Sequence, residues 1–130
     1  MIAVDASAVL AILFGESEEP SFSAALERAG GAVIGPVNYW EVLVRVHSRQ
    51  GSPGVDRARH IMDRLGLRIG TVDLQDADRA YGAFARFGKG IGGPLNLGDC
   101  FAYALAELEG DGLLFKGDDF PKTDVKSVLA

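Results

Sequence analysis

The chain has 130 residues, 48% of them hydrophobic and 24% charged, the balance of a folded globular protein and not of a disordered one. That length is expected to give one domain, 1–130, burying roughly two-thirds of the surface its unfolded chain exposes. A formal charge of −5 argues against binding nucleic acid by bulk electrostatics alone, and a single cysteine, Cys100, excludes an intramolecular disulfide and a cysteine metal cage.

The first apolar run, Ile2-Ala3-Val4, ends at Asp5 and reads as a buried strand, and "ASAVLAILFG" follows as a helix closing near Gly15. Asp5 interrupts this stretch and no basic residue precedes it, so it fails the pattern of a secretory leader. No run approaches the length of a membrane span, and the protein is expected in the cytoplasm with no membrane contact. Residues 18–29 place acidic residues and a proline in a first helical turn. "AVI" at 32–34 is a second strand. "PVNYWEVLVRVHSRQG" opens with Pro36 at a helix start and closes with Gly51, and a separate helix runs from Pro53 to Gly66. "LRIGTV" at 67–72 is strand-like, 76–88 is an amphipathic helix, and "GKGIGGPLNLG" at 88–98 is a loop expected to be mobile. "DCFAYALAELEG" is a helix apolar on most sides, so it should be central, with Cys100 as a small buried hydrophobe. "LLF" at 113–115 is a strand, and 125–129 adds a short edge strand. Short strands alternating with helices predict an α/β fold with a mostly parallel sheet.

Ligands of open parallel sheets sit beyond the carboxyl ends of the strands. Asp5 lies at that end of the first strand, and Asp118 and Asp119 lie just past the 113–115 strand. Each acidic residue has an ordinary reading of its own. Asp5 and Asp99 can each cap the helix that follows. Glu41 can pair with Arg45 one turn on, worth ~0.2–0.5 kcal/mol. Together they make a different case, because four carboxylates converging in one pocket repel by ~4 kcal/mol per close pair at an effective dielectric of 20. Such a cluster needs a cation or raised pKa values, and oxygen-only ligands favour Mg²⁺ or Mn²⁺ over zinc.

The segments "VDASAVLAIL", "NYWEVLVRV", "LNLGDCFAYALA" and "LLFKGDDFPKTDV", in that order along nearly the whole chain, resemble the PIN-domain family and, within it, the VapC toxins of bacterial toxin–antitoxin pairs. The resemblance implies a PIN-like three-layer sandwich with a mostly parallel central sheet between helices. It also implies a Mg²⁺-dependent endoribonuclease (Mn²⁺ serving as well) that hydrolyses a structured RNA such as tRNA or rRNA. The implied catalytic and metal-binding residues are Asp5, Glu41, Asp99 and Asp119, with Asp118 in support. Many PIN relatives carry their last carboxylate elsewhere around this turn, where Gly117 stands here. The implied partners are a cognate VapB-like antitoxin and a second copy of the chain in a homodimer.

Ser7 and Asn96 are candidates for hydrogen bonds to the ligands or for helix-end roles. Arg45, Arg49, Arg86, Lys89, Lys116 and Lys122 are candidates for phosphate contacts. Trp40 and Tyr39 could stack on bases, although a tryptophan in this pattern is more often core or interface. Other chemistries lack their residues. A receiver domain wants an aspartate at a central strand end, and the mid-chain Asp56 follows Pro53-Gly54 at a helix start. A haloacid-dehalogenase-like phosphatase wants a second aspartate where Ser7 stands. "GKGIGG" lacks the Lys-Ser/Thr of a phosphate loop. His47 and His60 fall on different helices with no acid–base partner. The competing reading is a non-catalytic PIN-like module that binds RNA or protein, and the complete acidic set argues for the enzyme.

Overall fold

A computed structural model describes residues 1–129. Four strands form one all-parallel sheet: β1 (Ile2–Val4), β2 (Ala32–Ile34), β3 (Leu67–Ile69) and β4 (Leu113–Leu114), in the order β3-β2-β1-β4. The helices between them are α1 (Ala6–Leu13), α2 (Glu19–Ala29), α3 (Pro36–Arg64), α4 (Leu74–Phe87) and α5 (Leu97–Glu109), and a 3₁₀ turn (Phe120–Lys122) follows β4.

Side chains along a strand point alternately to its two faces, and β1 shows the consequence. Ile2 and Val4 join Leu114, Ile34 and the buried residues of α1, α2 and α3 in one apolar cluster. Ala3, between them, joins Leu113 and the residues of α4 and α5 in a second. A strand buried on both faces has to read as a continuous apolar run, as "IAV" and "AVI" do. The result is the expected sandwich of helices, sheet and helices. Among the described residues, no helix is long and apolar enough to cross a membrane.

The chain moves outward from β1 to β2 and β3, then returns to β4 on the other side of β1. Connections therefore leave β1 and β4 in opposite directions, and a crevice opens beyond their carboxyl ends. Asp5 follows β1 directly, and the "GDDF" turn lies past β4.

Several elements differ from the sequence reading. The two helices expected on either side of Gly51 are both present and differ only in abutting directly within Pro36–Arg64, across a break at Gly51 with φ 69 and ψ −171. Only glycine takes that conformation without strain, so the break needs no loop. Helix α5 begins at Leu97 with Asn96 as its cap, two residues before Asp99. The 125–129 strand reduces to a bridge between Leu113 and Ser127. Strand β3 stops at Ile69, and β4 at Leu114. Residues 88–98 are anchored at Leu95, which is fully buried and exchanges backbone hydrogen bonds with Phe87 and Lys89.

Candidate active site

Asp5 caps α1 from the end of β1. Its Oδ2 accepts from the Ser7 backbone N–H at 3.0 Å and from the Ser7 hydroxyl at 2.6 Å. That hydroxyl oxygen accepts in turn from the Lys116 backbone N–H at 3.0 Å, joining the β1 end to the chain leaving β4. Ser7 thus fixes one Asp5 oxygen within the first turn of α1. Only 5% of Asp5 is exposed. Burial pushes its carboxyl above the ordinary range, against the lowering effect of the Ser7 hydrogen bonds.

Glu41 lies on the second turn of α3, half-buried. It does not form the ion pair with Arg45 that its spacing allows; its Oε1 accepts from Asn38 Nδ2 at 2.8 Å. Burial raises its pKa, and the charges of Asp5 and Asp99 raise it further. Asp99 occupies the third position of α5 in a reciprocal cap with Asn96. Its Oδ2 accepts from the Asn96 N–H at 3.1 Å, and Asn96 Oδ1 accepts from the Asp99 N–H at 2.9 Å. Burial first, then the charges of Asp5 and Asp119, push Asp99 up to about 6.

Asp5, Glu41 and Asp99 line one pocket of about 320 Å³, with Ser7, Trp40 and Arg45 on its walls. Asp119 is exposed outside that lining, near enough to Asp99 for its charge to be felt. Asp118 is also exposed, and no hydrogen bond or charge interaction links it to the other three among the described residues. Of the two turn aspartates, only the charge of Asp119 is felt at Asp99.

The carboxylates share the pocket without closing on one another. Among the described residues, no three Asp, Glu, His or Cys side chains stand close enough together to form a ready-made cage. The donor set nevertheless suits a hard divalent cation. It is all oxygen, its charges repel, and burial makes ionisation unfavourable without a counter-charge.

Asn38 was not among the residues singled out by sequence. It lies buried three residues before Glu41 and donates to the Gly98 carbonyl at 3.0 Å as well as to Glu41. A polar residue within the apolar stripe of α3 was the available signal. Among the basic candidates, Lys116 is held by Glu16 at 3.0 Å and Glu18 at 3.3 Å, and Arg86 by Asp124 at 2.7 Å. Arg49 lies 4.0 Å over the Phe14 ring. Arg45, Lys89 and Lys122 make no ion pair among the described residues. Trp40 is 63% exposed beside the acidic pocket and not in the core.

An acidic pocket at the switch point of a small parallel sheet defines a class, and the family described as PIN domain matches residues 2–126. Ribonuclease VapC42 of Mycobacterium tuberculosis is 40% identical over 126 residues, covering 95% of each chain. The fold is shared with the crystal structure of Mycobacterium tuberculosis VapC20, a Sarcin-Ricin loop cleaving toxin, at a TM-score of 0.77 and 16% identity, covering 96% of each chain. It is shared also with a toxin–antitoxin complex from Klebsiella pneumoniae, at a TM-score of 0.71 and 20% identity, covering 95% of this chain and 93% of that one. The chain belongs to the PIN-domain family, in its VapC ribonuclease branch.

Proposed function

We propose that the protein is the endoribonuclease toxin of a toxin–antitoxin pair, hydrolysing phosphodiester bonds of a structured RNA, tRNA or rRNA, with the help of Mg²⁺ or Mn²⁺. The observation that carries this reading is the meeting of Asp5, Glu41 and Asp99 in one pocket, each held above its ordinary pKa. Ribonuclease names among the 36–40% identical relatives support it.

Asp5, Glu41 and Asp99 would hold the ion, with Asp119 joining from the turn and Asp118 at its edge. When bound, the ion supplies charge neutralisation at the phosphate oxygens and a lowered pKa for an attacking water. The protein's own groups do the rest. Ser7 keeps the Asp5 carboxylate fixed through two hydrogen bonds to one oxygen. Glu41 or Asp99, as the carboxylate, would orient the attacking water and accept its proton. Arg45 offers a cation on the pocket wall for the substrate phosphate. Because water and not the ribose 2′-hydroxyl attacks, the products carry 5′-phosphate and 3′-hydroxyl ends.

An antitoxin of the VapB kind, a second copy of the chain and a cytoplasmic setting complete this reading. The test is in vitro cleavage of total bacterial RNA with mapping of the ends. Cleavage should need Mg²⁺ or Mn²⁺, stop in excess EDTA and disappear in Asp5→Asn, whose side-chain oxygen can still cap α1. Cleavage that persists in EDTA or in that variant, or that leaves 2′,3′-cyclic phosphates, overturns the mechanism.

A further inference from the structure

Asn38 Oδ1 is the one buried side-chain polar atom without a hydrogen-bond partner among the described residues. Asn38 is 1% exposed, and buried polar groups are nearly always paired. Its amide cannot turn over to find a donor, because Nδ2 already faces two acceptors, Glu41 Oε1 at 2.8 Å and the Gly98 carbonyl at 3.0 Å. Reversed, it would set an oxygen against a carboxylate and a carbonyl. The fold therefore leaves one acceptor unsatisfied while keeping a donor on Glu41.

The second observation is independent and steric. A Cβ at Gly98 would stand 2.4 Å from Glu41 Oε1, 2.5 Å from Oε2 and 2.6 Å from Cδ. Gly98 does not have positive φ, so no dihedral requirement demands glycine there. The helix would favour alanine at this position. A side chain here would have to displace the carboxylate that lies against the first turn of α5.

We propose that Asn38 and Gly98 form a two-sided seat for the Glu41 carboxylate, fixing it beside Asp99 so that α3 and α5 present their acidic groups to one divalent cation. Both are positioning residues, acting only through Glu41. The cation in this statement rests on the metal-dependent reading above; the seat itself does not.

The test uses the full, metal-free chain. Mn²⁺ affinity is measured by calorimetry, melting is followed in EDTA, and the Glu41 side-chain carboxyl carbon is followed by NMR, assigned through Glu41→Gln. Gly98→Ala should melt close to the wild type, and Asn38→Leu lower, since it removes a buried hydrogen bond between α3 and α5. Each should bind Mn²⁺ about ten- to a hundredfold more weakly, the range found for groups that orient metal ligands. Neither should weaken binding further in a Glu41→Gln background, and in both the Glu41 resonance should move. Should Asn38→Leu fail to fold, Gly98→Ala still decides, because its clash is with the far end of a flexible side chain. An unmoved Glu41 resonance in Gly98→Ala overturns the seat whatever the metal does. A wild type that takes up no Mn²⁺, with the resonance moving in Gly98→Ala, overturns the metal reading and supports the seat.

Discussion

Replacing Asp99 with asparagine should stabilise the metal-free protein at neutral pH. The carboxyl is lifted from 3.8 to about 6, first by burial and then by the charges of Asp5 and Asp119. At about 1.36 kcal/mol per pKa unit, ionised Asp99 would weaken the fold by about 3 kcal/mol. It is only half-buried and solvent screens it, so about 1–2 kcal/mol is the expected size. Asparagine keeps the oxygen that accepts from the Asn96 N–H, so the helix cap survives. The sign follows from the proton balance. The native pKa lies above the unfolded one, so the native state holds the extra proton between about pH 4 and pH 6. The associated stability is fully present below about pH 4 and is lost as pH rises through 6. Scanning calorimetry in EDTA should show the variant melting about 4–8 °C above the wild type at pH 7.5, with the gap closing toward pH 4. Mg²⁺ should then raise the wild type more than the variant, since it binds the native site. A variant that melts at or below the wild type at pH 7.5 refutes the account of Asp99 as a carboxylate held at a cost.

Three further perturbations probe the scaffold. Leu114→Ala, at a fully buried position on β4 just before the acidic turn, should cost about 2–5 kcal/mol in urea denaturation. Gly51→Ala should destabilise by about 1–3 kcal/mol, because φ 69 with ψ −171 strains any residue with a Cβ; an unchanged melting temperature would mean that the break in α3 relaxes freely. Tyr103→Phe removes a hydroxyl that donates to Asp124 and accepts from Arg86 at 3.1 Å, and should cost about 1 kcal/mol while leaving metal binding unchanged.

The alternation of short apolar runs with amphipathic segments was enough to determine the layered α/β class. A strand buried on both faces must be apolar throughout, and a helix facing the sheet must repeat with its own period. Local chemistry also placed Asp5 at a strand end and the aspartates of "GDDF" beyond another. Boundaries were less legible where two residues compete for one task. Asn96 and Asp99 can both cap a helix, and only the reciprocal bonds between them show that α5 starts at the first.

The tertiary structure decided the rest. The placement of β4 beside β1, from opposite ends of the chain, joins the Asp5–Ser7 cap to Lys116, where the chain leaves β4, and no local pattern carries that pairing. The same packing turned Glu41 from a surface partner of Arg45 into a half-buried neighbour of Asp5 and Asp99. Asn38 and Gly98, sixty residues apart, became neighbours of one carboxylate only because α3 and α5 meet. Propensity and periodicity act over a few residues, whereas burial, charge repulsion and close approach depend on distances in space that only the folded chain defines.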